Sequence, residues 1–416
     1  MNFLWPFPHR GRVRPLWVLA VLLLAGCSTP ATPSPSGGGV AAPRFAAPVD
    51  VGTGGPEPVV VVADDGTVFL AAQDAAGGAP HVWVSGDGGA SFEATSPSTQ
   101  GGGEVDLASG AGALLYFTQL GPNGNIVARS ADKGGSWSSA ILGATQYFDR
   151  EWVTIDGSTP FIVARDFQKA SAVVSRSDDG GVTFLPRGTA WDGQHEPGTT
   201  NGNLLAYAGG LALVYVCRDG DAVCLAQSGD GGATWSQHVV VARSTGVDNT
   251  YPVVAADGRR LVVVWSDASS GALAVWDARS DDDGASWSRP AQVSAGGESG
   301  TLAWVASGGG ATWVAYASTP GSLARADDAG AKDARWSVEA ARLDDASLAV
   351  TQRGPATGVV HVGVISKPVG AGGQSGLFDR SFGDFFTVAV DARGRALVAV
   401  VDTTRGAAHD LLATQP

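Results

Sequence analysis

The chain has 416 residues, with 40 Asp+Glu against 27 Lys+Arg and a formal charge of −13, and it contains only three cysteines. Such an acidic balance repels phosphate backbones and anionic headgroups alike, so nucleic acid is excluded as a partner and surface charge alone cannot hold the protein to a membrane. Short β-rich runs broken by Gly and Asp replace any long helical periodicity, which makes the fold class all-β.

At the N-terminus Arg10, Arg12 and Arg14 precede an apolar run from Leu16 to Leu24, followed by Leu24-Ala25-Gly26-Cys27. This is the charged region, apolar core and small-residue cleavage site of a secretory signal, too short to span a bilayer, which takes about 20 apolar residues. The last four residues resemble a bacterial lipobox. That resemblance implies cleavage before Cys27, lipidation of its thiol, and an extracytoplasmic protein held to the membrane or envelope by lipid. Residues 1–26 carry three arginines and no acid, so the exported part has 24 Lys+Arg against 40 Asp+Glu, or −16. Residues 27–43 form the lipidated Cys and a Pro/Ser/Gly-rich linker with too few apolar residues to fold.

From 44 to 416 the sequence reads as one array of small antiparallel units. Seven hairpins join the first two strands of successive units: Val59–Ala63 to Thr67–Ala72, Glu104–Ser109 to Ala113–Thr118, Glu151–Ile155 to Pro160–Arg165, Asn203–Ala208 to Leu211–Val216, Tyr251–Ala256 to Arg260–Ser266, Thr301–Ser307 to Ala311–Ala317, and Asp384–Val390 to Arg395–Val401. Third strands follow in the first five units and lead each time into one pattern, Ser-x-Asp-x-Gly-x-Ser/Thr-Phe/Trp. Its copies are Ser85, Asp87, Gly89 and Phe92; Ser130, Asp132, Gly134 and Trp137; Ser177, Asp179, Gly181 and Phe184; Ser228, Asp230, Gly232 and Trp235; Ser280, Asp282, Gly284 and Trp287. The first serines lie 45, 47, 51 and 52 residues apart, a period that calls for a repeat architecture. Gly supplies positive φ, Ser and Asp satisfy the turn amides, and the aromatic opens the next strand, where loss of a buried ring costs about 3–5 kcal/mol. The pattern is therefore a turn brace and not a catalytic motif.

The sixth unit departs from the rule. Its third strand is expected at Trp336–Leu343, running into Asp344-Asp345-Ala346-Ser347, a copy that lacks its first Ser, its Gly and its aromatic, with insertions at Pro320–Arg335 and at about Gly354 to Asp379. The seventh unit ends with His409–Gln415, one strand short. Arg44–Val51 has no other partner, so pairing it there closes the ring and removes an open edge. Seven blades result, six being the alternative count.

The repeated pattern is that of the Asp-box, or BNR repeat, and the chain resembles the sialidase-like β-propellers that carry it. Enzymes of that family have an Arg-Ile-Pro motif in the first blade, an arginine triad that clamps the sialate carboxylate, a Tyr nucleophile paired with Glu, and an Asp acid/base. Here Glu57-Pro58-Val59 stands where Arg-Ile-Pro belongs. On the face opposite the repeats, Arg150, Arg165 and Arg218 fall in neighbouring blades and are candidates for an anion clamp, with Tyr251 beside a carboxylate as a nucleophile pair; Asp166, Asp219, Glu298, Arg380 and Asp384 complete the candidate set. Solvated loop charges are the alternative for all of them.

Cys217 and Cys224 flank a hairpin turn in an exported protein and are expected to form a disulfide. No cofactor or metal is expected: zinc lacks four ligands, and Asp281-Asp282-Asp283-Gly284 lies inside a repeat and lacks the closing Glu of an EF-hand loop. The expectation is a monomeric lipoprotein propeller that binds a glycan or an envelope protein; the alternative is an exo-acting glycoside hydrolase of sialidase type.

Overall fold

The computed structural model describes residues 40–416 apart from 98–99, 122–123, 143–147, 167–168, 193–197, 218–221, 244–251, 348 and 367–377. Residues 40–416 form one compact unit. The described strands build seven four-stranded antiparallel sheets. Blade 1 is β2 (Val59–Val62), β3 (Val68–Ala72), β4 (His81–Ser85) and β5 (Glu93–Thr95); blade 2 is β6 (Val105–Ser109), β7 (Leu115–Gln119), β8 (Asn125–Ser130) and β9 (Ser138–Leu142). Blade 3 is β10 (Phe148–Asp156), β11 (Thr159–Asp166), β12 (Ser171–Arg176) and β13 (Leu185–Asp192), and blade 4 is β14 (Gly198–Tyr207), β15 (Gly210–Cys217), β16 (Ala222–Ser228) and β17 (Ser236–Arg243). Blade 5 is β18 (Val253–Asp257), β19 (Arg260–Asp267), β20 (Ala274–Ser280) and β21 (Ala291–Gln292), and blade 6 is β22 (Glu298–Gly308), β23 (Ala311–Pro320), β24 (Arg335–Leu343) and β25 (Val350–Val362). Blade 7 takes β26 (Val388–Val390), β27 (Ala396–Asp402) and β28 (His409–Thr414) from the end of the chain and β1 (Val49–Thr53) from its start.

The seven-bladed count holds, and so does the closure: β1 pairs antiparallel with β28, from Val49 opposite Leu412 to Thr53 opposite His409. One expectation is corrected. The second insertion does not begin at Gly354, because β25 runs on to Val362 as the outermost strand of blade 6. Pro355 is tolerated there because an edge strand needs no N–H on its outer side. A single 3₁₀ turn, Ala329–Ala331, interrupts the first insertion.

Each repeat forms the same turn. In the first, Ser85 Oγ donates to Asp87 Oδ1 at 2.7 Å and accepts from Gly89 N at 2.8 Å, while Ser91 N and Oγ donate to the Asp87 carboxylate at 2.9 and 2.6 Å. Gly89, Gly134, Gly181, Gly232 and Gly284 take φ between 85° and 93°, which a side chain would strain. The degenerate sixth copy keeps half the brace: Asp344 Oδ1 accepts from Ala346 N, Ser347 N and Ser347 Oγ at 2.8–3.1 Å.

Blades are stitched to their neighbours around the channel by side chains that reach the next first strand. Asp106 Oδ2 accepts from Val153 N at 2.8 Å, Thr154 Oγ1 from Ala206 N at 3.1 Å, Asn203 Oδ1 from Val254 N at 2.8 Å, and Thr387 Oγ1 from Val60 N at 2.8 Å. The apolar faces between them hold the core, with Trp191, Trp265, Trp313 and Trp336 fully buried. Cys217 and Cys224 join β15 to β16 as a disulfide, with Cα atoms 5.9 Å apart. No helix among the described residues is long and apolar enough to cross a membrane.

Candidate functional site

The first strand of every blade starts on the face opposite the repeats, here the loop face, so the residues just before it ring the channel mouth. At these entries, just before the strand or in its first residues, three described non-glycine residues take the left-handed region: Glu57 (φ 66°), Arg150 (φ 59°) and Leu302 (φ 53°). In β10 and β22 the ladder slips there, between Asp149 and Trp152 and between Thr301 and Trp304. Such a bulge re-aims a side chain, and the strained backbone marks a position that the surroundings over-determine.

Arg150 is what the bulge in β10 delivers. Its guanidinium is 4% exposed and meets three carboxylates: Glu104 of blade 2, Asp384 ahead of β26 at 2.6 Å, and Asp149 at 3.7 Å. Arg380 closes on Asp384 from the other side, lies 3.6 Å from Glu57 and donates to Ser366 O at 2.9 Å. Glu57 Oε1 accepts from Asp384 N at 2.9 Å, and Gln73 Nε2 donates to Oε2. Blades 1, 2, 3 and 7 are thereby tied across the mouth. Beneath this hub Trp152, Trp304 and Phe385 meet with ring centroids 5.1–5.6 Å apart, an aromatic floor drawn from blades 3, 6 and 7.

Burial dominates the electrostatics. It pushes the Glu57 carboxyl up to about 7, aided by Asp384 and opposed by Arg150 and Arg380. Burial also holds Glu104 well above the usual carboxylate range against the pull of Arg150, and raises Glu151 likewise. Asp106 is pushed up to about 7 for the same reason in spite of its bond from Val153 N. Burial lowers Arg165, which sits opposite Asp149 in the β10–β11 ladder.

Of the residues singled out in sequence, the structure brings Arg150, Arg380 and Asp384 together and sets Arg165 beside them. Arg150 lies enclosed by the carboxylates of Glu104, Asp149 and Asp384. Asp166 braces the β11–β12 turn, accepting from Lys169 N at 3.1 Å. Glu298 lies in blade 6, where it accepts from Tyr316 Oη and Ser318 Oγ at 3.0 Å and from Ala295 N at 2.7 Å. Burial, then Glu298, raise the Tyr316 phenol, the opposite of what a nucleophile needs. Cys27, Arg218, Asp219 and Tyr251 lie outside the described residues. Sequence reasoning passed over Glu104 and Glu151 as site residues, although both stand, like Glu57, at the entry of a first strand, Glu104 just before β6 and Glu151 in the opening half of β10.

Carboxylate oxygens of Glu57, Glu104 and Asp384 all lie within 4.8 Å of one another, a spacing compatible with a metal ion. The donor set does not fit one: the guanidinium of Arg150 bridges Glu104 and Asp384, and that of Arg380 faces Glu57 and Asp384, so the positive charge such a group would supply is built into the chain.

No family model and no curated protein matches this sequence. Among solved structures the chain is similar to YCF48 from Cyanidioschyzon merolae, with a TM-score of 0.51 at 14% identity over 90% of this chain and 99% of that one. A protein of unknown function from Dyadobacter fermentans aligns with a TM-score of 0.48 at 14% identity over 90% and 96%. Trypanosoma rangeli sialidase aligns with a TM-score of 0.44 at 12% identity over 87% of this chain and 55% of the enzyme. At these identities the likeness concerns fold alone; the fold itself is set by the seven four-stranded sheets and the closing pair of β1 and β28: the chain is a β-propeller.

Proposed function

We propose that this chain is an exported, lipid-anchored propeller that binds a glycan or an envelope protein rather than one that hydrolyses an anionic sugar. The observation that carries the proposal is the state of Arg150. A sialate clamp needs guanidinium forks open to solvent, and this one is buried among Glu104, Asp149 and Asp384. The carboxylates around it repel a carboxylated sugar, and the Tyr–Glu contact of Tyr316 with Glu298 is interior to blade 6. A hydrolase reading leans on Glu57, whose carboxyl near 7 suits a general acid. Against it, Glu57 is 2% exposed and both its oxygens are engaged within the protein.

A fluorogenic sialoside tests the proposal. The expected outcome is no release of the fluorophore above the uncatalysed rate. Robust turnover that disappears in Glu57→Gln would replace the binding function with a hydrolytic one.

A further inference from the structure

The outer strands of the blades differ in length, and in two blades they are short: β5 has three residues and β21 has two. Beside β21 the gap is covered, because the long β25 of the next blade brings Arg353 over, its Nη1 donating to Val293 O at 2.9 Å. Beside β5 it stays open as a cleft of about 690 Å³ between the outer edges of blades 1 and 2. That volume lies inside the roughly 300–1,000 Å³ range of small-molecule sites.

Its lining has an unusual chemistry for this chain. Trp137 and Ile141 offer an apolar platform backed by the buried Ile126, and Ser139 and Gln100 border it with hydroxyl and amide groups, the Ser136 hydroxyl beside them being held by Asp132 at 2.7 Å; no lining residue is charged, on a protein whose formal charge is −13. The platform is rigid. Trp137 Nε1 donates to Thr95 Oγ1 at 3.0 Å and the ring meets Phe117 edge-on at 6.4 Å, while Ile141 pairs with Ile126 across the β8–β9 ladder and is 53% exposed. Such a surface matches one ligand class. A pyranose presents an apolar C–H face and a rim of hydroxyls, so it stacks on an indole or aliphatic patch and exchanges neutral hydrogen bonds with Ser, Thr and Gln. An anionic sugar would find no cation in this lining and an acidic protein around it.

We propose that the cleft between β5 and β9 is a binding site for a neutral glycan chain, with Trp137 and Ile141 as its platform. The proposal rests on the glycan branch of the binding function above and places the ligand on the rim rather than at the channel mouth. The full chain in detergent, titrated calorimetrically with hexasaccharides of β-1,4-glucose, α-1,4-glucose, β-1,4-xylose and β-1,4-N-acetylglucosamine and with hexagalacturonate, decides it. At least one neutral hexasaccharide should bind and hexagalacturonate should not. Because Trp137→Ala also disturbs a turn, the test variants are Ile141→Asp and Ser139→Trp, on an exposed strand edge; each should weaken binding by about tenfold or more at unchanged melting temperature. Amide exchange of the complex should show protection over residues 135–141. Binding that survives both variants, with protection confined to the loop face, overturns the cleft and leaves glycan binding at the mouth standing. Failure of all four neutral sugars, or capture of a peptide along β9 instead, overturns the cleft outright.

Discussion

The two faces of this propeller solve the same problem, closing a turn at the end of a strand, with opposite electrostatics. On the repeat face exposed aspartates are satisfied within four residues of themselves, and hydrogen bonds from the neighbouring Ser or Thr pull Asp132, Asp179 and Asp282 down to about 2. On the loop face buried carboxylates depend on partners in other blades: Arg150 reaches Asp384 across 234 positions of sequence, and Asp384 N reaches Glu57 across 327. Local satisfaction is cheap to repeat and tolerates loss of a copy, whereas a shared hub is unique and fails as a unit. Substitutions on the two faces should separate these behaviours.

The largest effect is expected from Arg150→Ala. Removing the guanidinium leaves Glu104 and Asp384 buried with less compensating charge, and breaking a buried pair from one side typically costs about 3–5 kcal/mol. Chemical denaturation read by tryptophan fluorescence measures it. A loss no larger than that of a surface substitution would mean that the aromatic floor of Trp152, Trp304 and Phe385 closes the channel without the ionic hub.

How far each face was legible in sequence follows from the same difference. A repeat whose donors and acceptors lie at i, i+2 and i+4 writes its hydrogen bonds into the local pattern, so five turns, seven hairpins and the closing strand could be read directly. The hub could not, because which loop charges meet depends on bulges that no local pattern announces: Arg150 was visible as an arginine near the mouth, but not its left-handed backbone or its enclosure by three carboxylates. The strand at Val350–Val362 was missed for a related reason. Its Gly354-Pro355-Ala356-Thr357-Gly358 stretch has loop composition, and only its place at the outer edge of blade 6, paired with β24, makes it a strand.

A second expected effect is a pH dependence that the faces divide between them. Glu57 and Asp106, raised by burial to about 7 from ordinary values of 4.5 and 3.8, contribute stability that is fully present below those ordinary values and is lost as pH rises through about 7. The repeat aspartates, held low, contribute stability present above the ordinary value and lost as pH falls through about 2. Between pH 5 and pH 8 the repeat aspartates stay ionised, whereas Glu57 and Asp106 titrate together with Asp277 and Glu339, which burial also raises to about 7, so the melting temperature should fall across that interval, by the equivalent of roughly 3 kcal/mol for a buried group shifted this far. Asp106→Asn should flatten the slope while keeping an acceptor for Val153 N. A melting temperature that rises from pH 5 to pH 8 would show that these carboxylates are ionised in the folded protein.

The smallest effect should come from the repeat face, and its smallness is the point. Asp230 accepts from Ala233 N, Thr234 N, Thr234 Oγ1 and Ser228 Oγ, but it is exposed, so water replaces those donors' partner in Asp230→Ala and the turn itself remains held by Gly232 N donating to Ser228 Oγ at 2.9 Å. A fall of about 2–4 °C in melting temperature is expected, with ligand affinity unchanged because this turn belongs to blade 4, away from both the channel mouth and the cleft between β5 and β9. If Asp230→Ala unfolded the protein as thoroughly as Arg150→Ala, the turns would belong to one cooperative network with the hub, and the separation of the two faces into local and shared satisfaction would be wrong.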